Sequence, residues 1–189
     1  MGLTVARAIR SALVPLAAVV LSAASLPASA ASQPHGVPEL SEAEWDRVDE
    51  LIESMTVRQK AGQMLQIALG AICSEPATAT TPAVIDPDLA REVIVEYGAG
   101  SILNTAWISM TPEAWVEIVT EVQRIATEET PHGIPLIYGI DSVHGANYIS
   151  GATIFPQNLN LGATWNPELA RLSGEVAAAE SRAVGLTWN

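Results

Sequence analysis

The residues best placed to do chemistry lie together in Pro135-Leu136-Ile137-Tyr138-Gly139-Ile140-Asp141-Ser142-Val143-His144-Gly145. The apolar run Ile134 to Ile140 is short, bounded by Gly133 and Gly145, and rich in branched residues. It reads as a buried strand. Asp141 stands where that strand ends. In parallel α/β sheets the carboxyl ends of strands are where ligands bind. An acid there is either a ligand contact or a cap for the loop that follows. Asp141-x-x-His144 is also half of a metal-ligand pattern. The pair does not lie on a helix, and His35 and His132 are elsewhere in the chain, so no metal site is expected. No Gly-x-Ser-x-Gly elbow and no Walker sequence occurs, and Gly145 to Gly151 lacks phosphate-cradle spacing.

The elements that must position Asp141 alternate along the chain. Ser41 and Glu44 form a capping box, followed by Trp45, Val48, Leu51, Ile52 and Met55 at helical spacing, which predicts one buried face. Thr56 and Gln59 make a second capping box for a short helix. Gly62 to Ile67 reads as the first strand, and Ala71 to Pro82 as a loop. Asp86-Pro87 opens a helix through Glu96 that Gly98 ends. Gly100 to Asn104 reads as a second strand. Thr111-Pro112 starts a helix whose apolar stripe is Trp115, Ile118, Val119, Val122, Ile125 and Ala126. The strand before Asp141 is third. A loop from Ser142 to about Thr164 follows it. Asn166-Pro167-Glu168 caps an alanine-rich helix with Leu169, Leu172, Val176 and Ala183 on one side, and Gly185 fits its C-terminal stop. Leu186 to Asn189 looks like a fourth strand. Strand and helix alternating through short connections predict an α/β fold with parallel strands.

Composition limits the setting. Arg7 and Arg10, the apolar stretch Ala12 to Leu26 and the small residues Ala28-Ser29-Ala30 read as a signal peptide over 1–30, cleaved after Ala30. Residues 31–40 read as a linker and 41–189 as the folded part. Removing the signal leaves 7 basic against 21 acidic residues, a net charge of −14. Such a surface disfavours nucleic acid and anionic membrane as partners. Cys73 is the one cysteine, so there is no internal disulfide framework, and it is expected to be buried. The remaining 159 residues suffice for a core but fall short of the roughly 250 of a complete (β/α)8 barrel.

The order of motifs is more specific than any one of them. Arg47-Val-x-x-Leu51-Ile-x-x-Met55-Thr56, Lys60-x-Gly62-Gln63-Met64 and Gly100-Ser-Ile-Leu103-Asn104 precede Gly139-Ile-Asp141-x-Val-His144-Gly. Gly151-Ala-Thr-Ile-Phe-Pro156-x-Asn158, Leu161-Gly-Ala-Thr164 and Glu180-x-Arg182-Ala-x-Gly185 come after it. Together they resemble the N-terminal domain of family 3 glycoside hydrolases, in particular the β-glucosidase and exo-β-glucanase branch. Ala146 and Gln157 stand where many members carry histidine, and Trp165-Asn166 replaces a common Arg-Asp pair.

The resemblance implies a partial (β/α)8 TIM-type barrel, truncated after about four strands, as the front part of a longer retaining β-glucosidase. It implies that Asp141 binds hydroxyls of the terminal non-reducing β-D-glucosyl unit, while His144 shapes the loop. Substrates would be β-glucosides or oligosaccharides, with no cofactor. Such hydrolysis needs two carboxylates about one glycosidic bond. The family's Ser-Asp-Trp-type nucleophile motif does not occur here, so the catalytic pair is not expected in this chain. The other acids, such as Glu42, Glu44, Glu113, Glu121 and Glu180, are read mainly as solvated helix faces. Trp107, Tyr148, Trp165 and Trp188 have the shape to line a sugar site, though core packing is the simpler expectation for each. Two rivals stand beside this reading. One is a secreted carbohydrate- or solute-binding protein without catalysis; the other is a β-N-acetylhexosaminidase, against which Gly139-Ile-Asp-Ser argues. Export would place the protein in the periplasm or outside the cell.

Overall fold

A computed structural model describes residues 39–78, 80–105 and 108–189. The signal peptide, most of the linker, His35 and Trp107 lie outside the described residues.

Helix α1 spans Glu42–Ser54 and helix α2 Val57–Gln63. The second starts where the Thr56 capping box predicts: the Gln59 N–H donates to Thr56 Oγ1 at 3.2 Å, and the Thr56 N–H donates to Gln59 Oε1 at 2.8 Å. The expected buried face of α1 is not deep. Val48, Leu51 and Met55 are half-buried, while Trp45 and Ile52 stay exposed. The first strand, β1, is Gln66–Ala68; Gly62 and Gln63 end α2, Met64 caps it, and Leu65 connects to the strand. Gly62 is buried there because any Cβ would meet the Tyr97 and Gly98 carbonyls.

The stretch read as a loop carries structure of its own. A 3-10 turn, Leu69–Ile72, leads into β2, Cys73–Glu75, which pairs antiparallel with β3, Val84–Ile85. Leu69 and Ile72 are fully buried and pin this excursion to the core. Asp86 then caps α3, Pro87–Arg91, by accepting from the Asp88 and Leu89 N–H groups. The helix widens into a π-helical turn, Glu92–Glu96.

Strand β4 is Ser101–Leu103. Thr111 caps α4, Pro112–Glu128, and all six residues of its sequence-read stripe are buried. Burying each large apolar side chain contributes about 1.5–3 kcal/mol, so this stripe is a main source of core stability. Strand β5, Ile137–Gly139, is shorter than the Ile134–Ile140 run suggested, and Ile137 is exposed. It starts late because Gln123 on α4 takes both backbone groups of Leu136. The Leu136 N–H donates to Gln123 Oε1 at 3.0 Å, and Gln123 Nε2 donates to the Leu136 carbonyl at 2.7 Å.

Among the described residues β1, β4 and β5 form a parallel sheet in that order, each joined to the next by helices. Where a fourth strand was expected, a single parallel bridge links Gly139 to Trp188. Among the described residues the sheet is thus three strands, with the Trp188 segment bridged to the third. Trp115 of α4 packs edge-on against Tyr138 of β5, ring centres 5.9 Å apart, and both are fully buried. Two helices follow β5: the short α5, Asn158–Gly162, inside the expected long loop, and α6, Pro167–Ala183, capped by Asn166. The inward residues of α6 are Ala177 and Ser181; Leu169 and Leu172, expected inside, are exposed. Small residues on that face let the helix approach the loop that carries Asp141.

Candidate functional site

Asp141 lies two residues beyond β5, at the carboxyl end of the sheet. In the strand register Ala68, Leu103, Gly139 and Trp188 stand side by side, so the chain leaves each strand at one level. Asp141 is exposed and borders a cleft of about 430 Å³. The cleft lies between the following loop, Phe155, and the Ser173–Gly174 face of α6. Among the described residues Asp141 is the one acid that lines it. His144 lines the same cleft, half-buried. Its carbonyl accepts from the Phe155 N–H at 2.7 Å and closes the loop on itself.

Asn104 holds the other side of the acid. Its Nδ2 donates to Asp141 Oδ2 at 3.1 Å. The Asn104 N–H donates to the Gly139 carbonyl at 2.8 Å, and its own carbonyl accepts from the Tyr138 hydroxyl at 3.2 Å. Burial pushes the Tyr138 hydroxyl far above the usual phenol range, which keeps it a donor. Asn104 adopts φ +70°, a left-handed conformation that asparagine tolerates better than most side chains. Beyond it a second cleft, about 390 Å³, lies over the ends of β1 and β4 and includes Gln66, Cys73 and Thr105. Burial pushes the Cys73 thiol up, and its Sγ lies 3.3 Å from the Leu69 carbonyl. The residue is half-buried rather than buried. A larger cleft, about 530 Å³, lies between β3 and α4, away from the strand ends, and carries no group aimed at Asp141.

The loop after Asp141 is anchored at three places. Ser142 N–H donates to Asn189 Oδ1 at 2.7 Å, beside the bridging strand. Tyr148 accepts through its carbonyl from Trp115 Nε1 at 2.8 Å and from Met110 N–H at 3.0 Å. Thr153 donates to Glu180 of α6 from its hydroxyl at 2.8 Å and from its N–H at 3.0 Å. Glu180 is therefore a loop clamp and not a solvated helix acid. Gly145 turns the loop at φ +106°, and a Cβ there would collide with the Thr153 carbonyl. Of the aromatics, Tyr148 is half-buried, Trp188 is half-exposed against Gly139, and Trp165 is almost fully exposed at φ +53°. Core packing thus fails for Trp165. Sequence reasoning misses Asn104 and Glu180 as site residues. The legible signal for Asn104 is an asparagine one place past a strand, where left-handed turns begin. Among the described residues no three His, Cys, Asp or Glu side chains group closely enough to hold a metal ion.

Parallel strands joined by helices, with an acid at their carboxyl end, define an α/β domain whose strand ends face a candidate site. The family model described as "Glycosyl hydrolase family 3 N terminal domain" matches residues 56–189, and the chain belongs to that family. It is 35% identical over 149 residues to the "Lysosomal beta glucosidase" of Dictyostelium discoideum, covering 75% of this chain and 18% of the relative. It is 30% identical over 172 residues to the "Periplasmic beta-glucosidase" of Salmonella typhimurium, covering 90% and 19%. The exo-1,3/1,4-beta-glucanase of a Pseudoalteromonas species superposes with a TM-score of 0.60 at 30% identity, over 77% of this chain and 17% of that one. A family 3 beta-N-acetylglucosaminidase from a Paenibacillus species gives 0.55 at 27%, over 70% and 23%. The chain therefore spans about a fifth of the length of the curated relatives it matches.

Proposed function

We propose that this chain supplies the glucose-gripping part of a retaining β-glucosidase, with Asp141 bound to hydroxyls of the terminal non-reducing unit. The observation that carries the reading is the placement of Asp141: exposed, at a strand end, on a cleft, with one carboxylate oxygen already held by Asn104. The other oxygen is the acceptor offered to the sugar. Hydrogen bonds to a charged group contribute about 1.5–3 kcal/mol each, enough to orient a ring and to strengthen as charge develops on it. Beta-glucosidase names among the relatives favour a glycoside over a solute carried without reaction. The first domain would be a barrel of which these residues form the first four strand positions.

A retaining mechanism requires a nucleophile and an acid/base about 5–5.5 Å apart. Among the described residues Asp141 is the one acid on its cleft, so both are assigned to other parts of the enzyme, and these 189 residues by themselves are expected to be inactive. Residues 1–30 are proposed as a signal peptide that directs the protein to the periplasm or the outside. A periplasmic relative supports that destination.

The test is Asp141→Ala in the full-length gene product, assayed with an aryl β-glucoside. The expected result is a fall in kcat/KM of about a hundredfold or more with unchanged melting temperature. Unchanged kinetics in a folded variant would remove Asp141 from the sugar site.

A further inference from the structure

We infer that Asn104 is a positioning residue for the sugar-binding carboxylate, fixing which oxygen of Asp141 is presented to the ligand. This rests on the proposed role of Asp141 and goes beyond it. Three contacts make the assignment. The side-chain amide donates to Asp141 Oδ2 at 3.1 Å, across from β4 to the end of β5. Both backbone groups of Asn104 are taken by β5: the N–H by the Gly139 carbonyl and the carbonyl by the Tyr138 hydroxyl. The residue therefore cannot drift without breaking contacts to the strand that carries the acid.

Geometry makes the side chain a choice and not a by-product of the turn. At φ +70° a glycine would hold this backbone with less strain than any L residue. Asparagine keeps the turn and adds an amide that reaches the carboxylate. A free Asp side chain on an exposed loop rotates between staggered wells. One oxygen tied by an amide donor selects one of them before the sugar arrives, and that lowers the ordering cost at binding. Asn104 also lines the cleft over β1 and β4, so the bond lies between the two openings on this face of the sheet.

The same reasoning supplies a clean variant. Asn104→Gly keeps the left-handed turn and both backbone hydrogen bonds and deletes only the amide. In the full-length gene product, four proteins are compared: parent, Asn104→Gly, Asp141→Ala and the double variant. The readouts are kcat and KM for an aryl β-glucoside, calorimetric titration with D-glucose, and melting temperature. Asn104→Gly is expected to lower kcat/KM and glucose affinity between about tenfold and a hundredfold, at a melting temperature close to the parent's. In the Asp141→Ala background the same change is expected to cost nearly nothing, because Asn104 acts through the carboxylate. Equal losses in both backgrounds, or parent-like kinetics for Asn104→Gly, would overturn the positioning role while leaving Asp141 in the site. Parent-like kinetics for Asp141→Ala would overturn both readings together.

Discussion

At the scale of single residues, what matters is which side chains hold the loop that carries Asp141. Glu180 does this with its whole carboxylate, taking the Thr153 hydroxyl and N–H. Substituting alanine leaves a loop N–H without its charged acceptor. Hydrogen bonds to charged groups are worth about 1.5–3 kcal/mol, so Glu180→Ala is expected to lower stability by about that amount. The sharper readout is local: hydrogen exchange at Thr153 and Phe155 should accelerate far more than exchange in α4. Uniform acceleration would mean that Glu180 supports the fold generally and not this loop. Sequence spacing places Glu180 on a wet helix face because a helical acid looks the same whether or not a loop comes down on it.

Between elements, the helices around the sheet are tied by charge as well as by apolar packing. Arg124 of α4 meets Glu121 and Glu129, each at 2.8 Å, and Arg91 of α3 meets Glu129 at 2.8 Å. Hydrogen bonds from Arg91 and Arg124 hold the Glu129 carboxyl below the usual range, and Arg124 does the same for Glu121. A carboxyl lowered in the folded state stabilises it above the unfolded pKa of about 4.3. That contribution disappears as pH falls through the lower folded value. Arg124→Met should therefore melt below the parent at pH 7, with the gap closing as the pH drops below about 4. A gap that persists undiminished at about pH 2 would assign the effect to lost packing of the arginine stem. The helix read best from sequence, α4, is the one with a full buried stripe. The helices read worst, α1 and α6, turn much of their predicted apolar faces outward. Periodicity identifies an amphipathic face but does not say whether a partner lies against it.

For the molecule as a whole, large apolar side chains stand exposed on several elements, among them the helices after β5. Leu159 is 85% exposed and Trp165 93%, with Leu169 and Leu172 also open. Ile137 and Trp188 are open at the sheet. Where such side chains adjoin, the apolar surface drives association. The 189-residue polypeptide expressed by itself is expected to self-associate with rising concentration in analytical ultracentrifugation and to bind a hydrophobic dye. A sharp monomer across the concentration series, with no dye binding, would contradict this. The acidic surface works against association only at low ionic strength, so added salt should promote it.

The amino-acid order alone determined the alternation of strands and helices, the caps at Thr56, Asp86, Thr111 and Asn166, and the place of Asp141 at a strand end. Each follows from local backbone chemistry or from a short apolar period, which a linear chain carries on its face. Tertiary structure decided the rest. It brought Asn104 to the carboxylate from another strand, laid Thr153 on Glu180, and shortened β5 through the Gln123 side chain. These contacts join residues 13 to 37 positions apart, and no local pattern encodes a meeting that exists only once the sheet and its helices have packed.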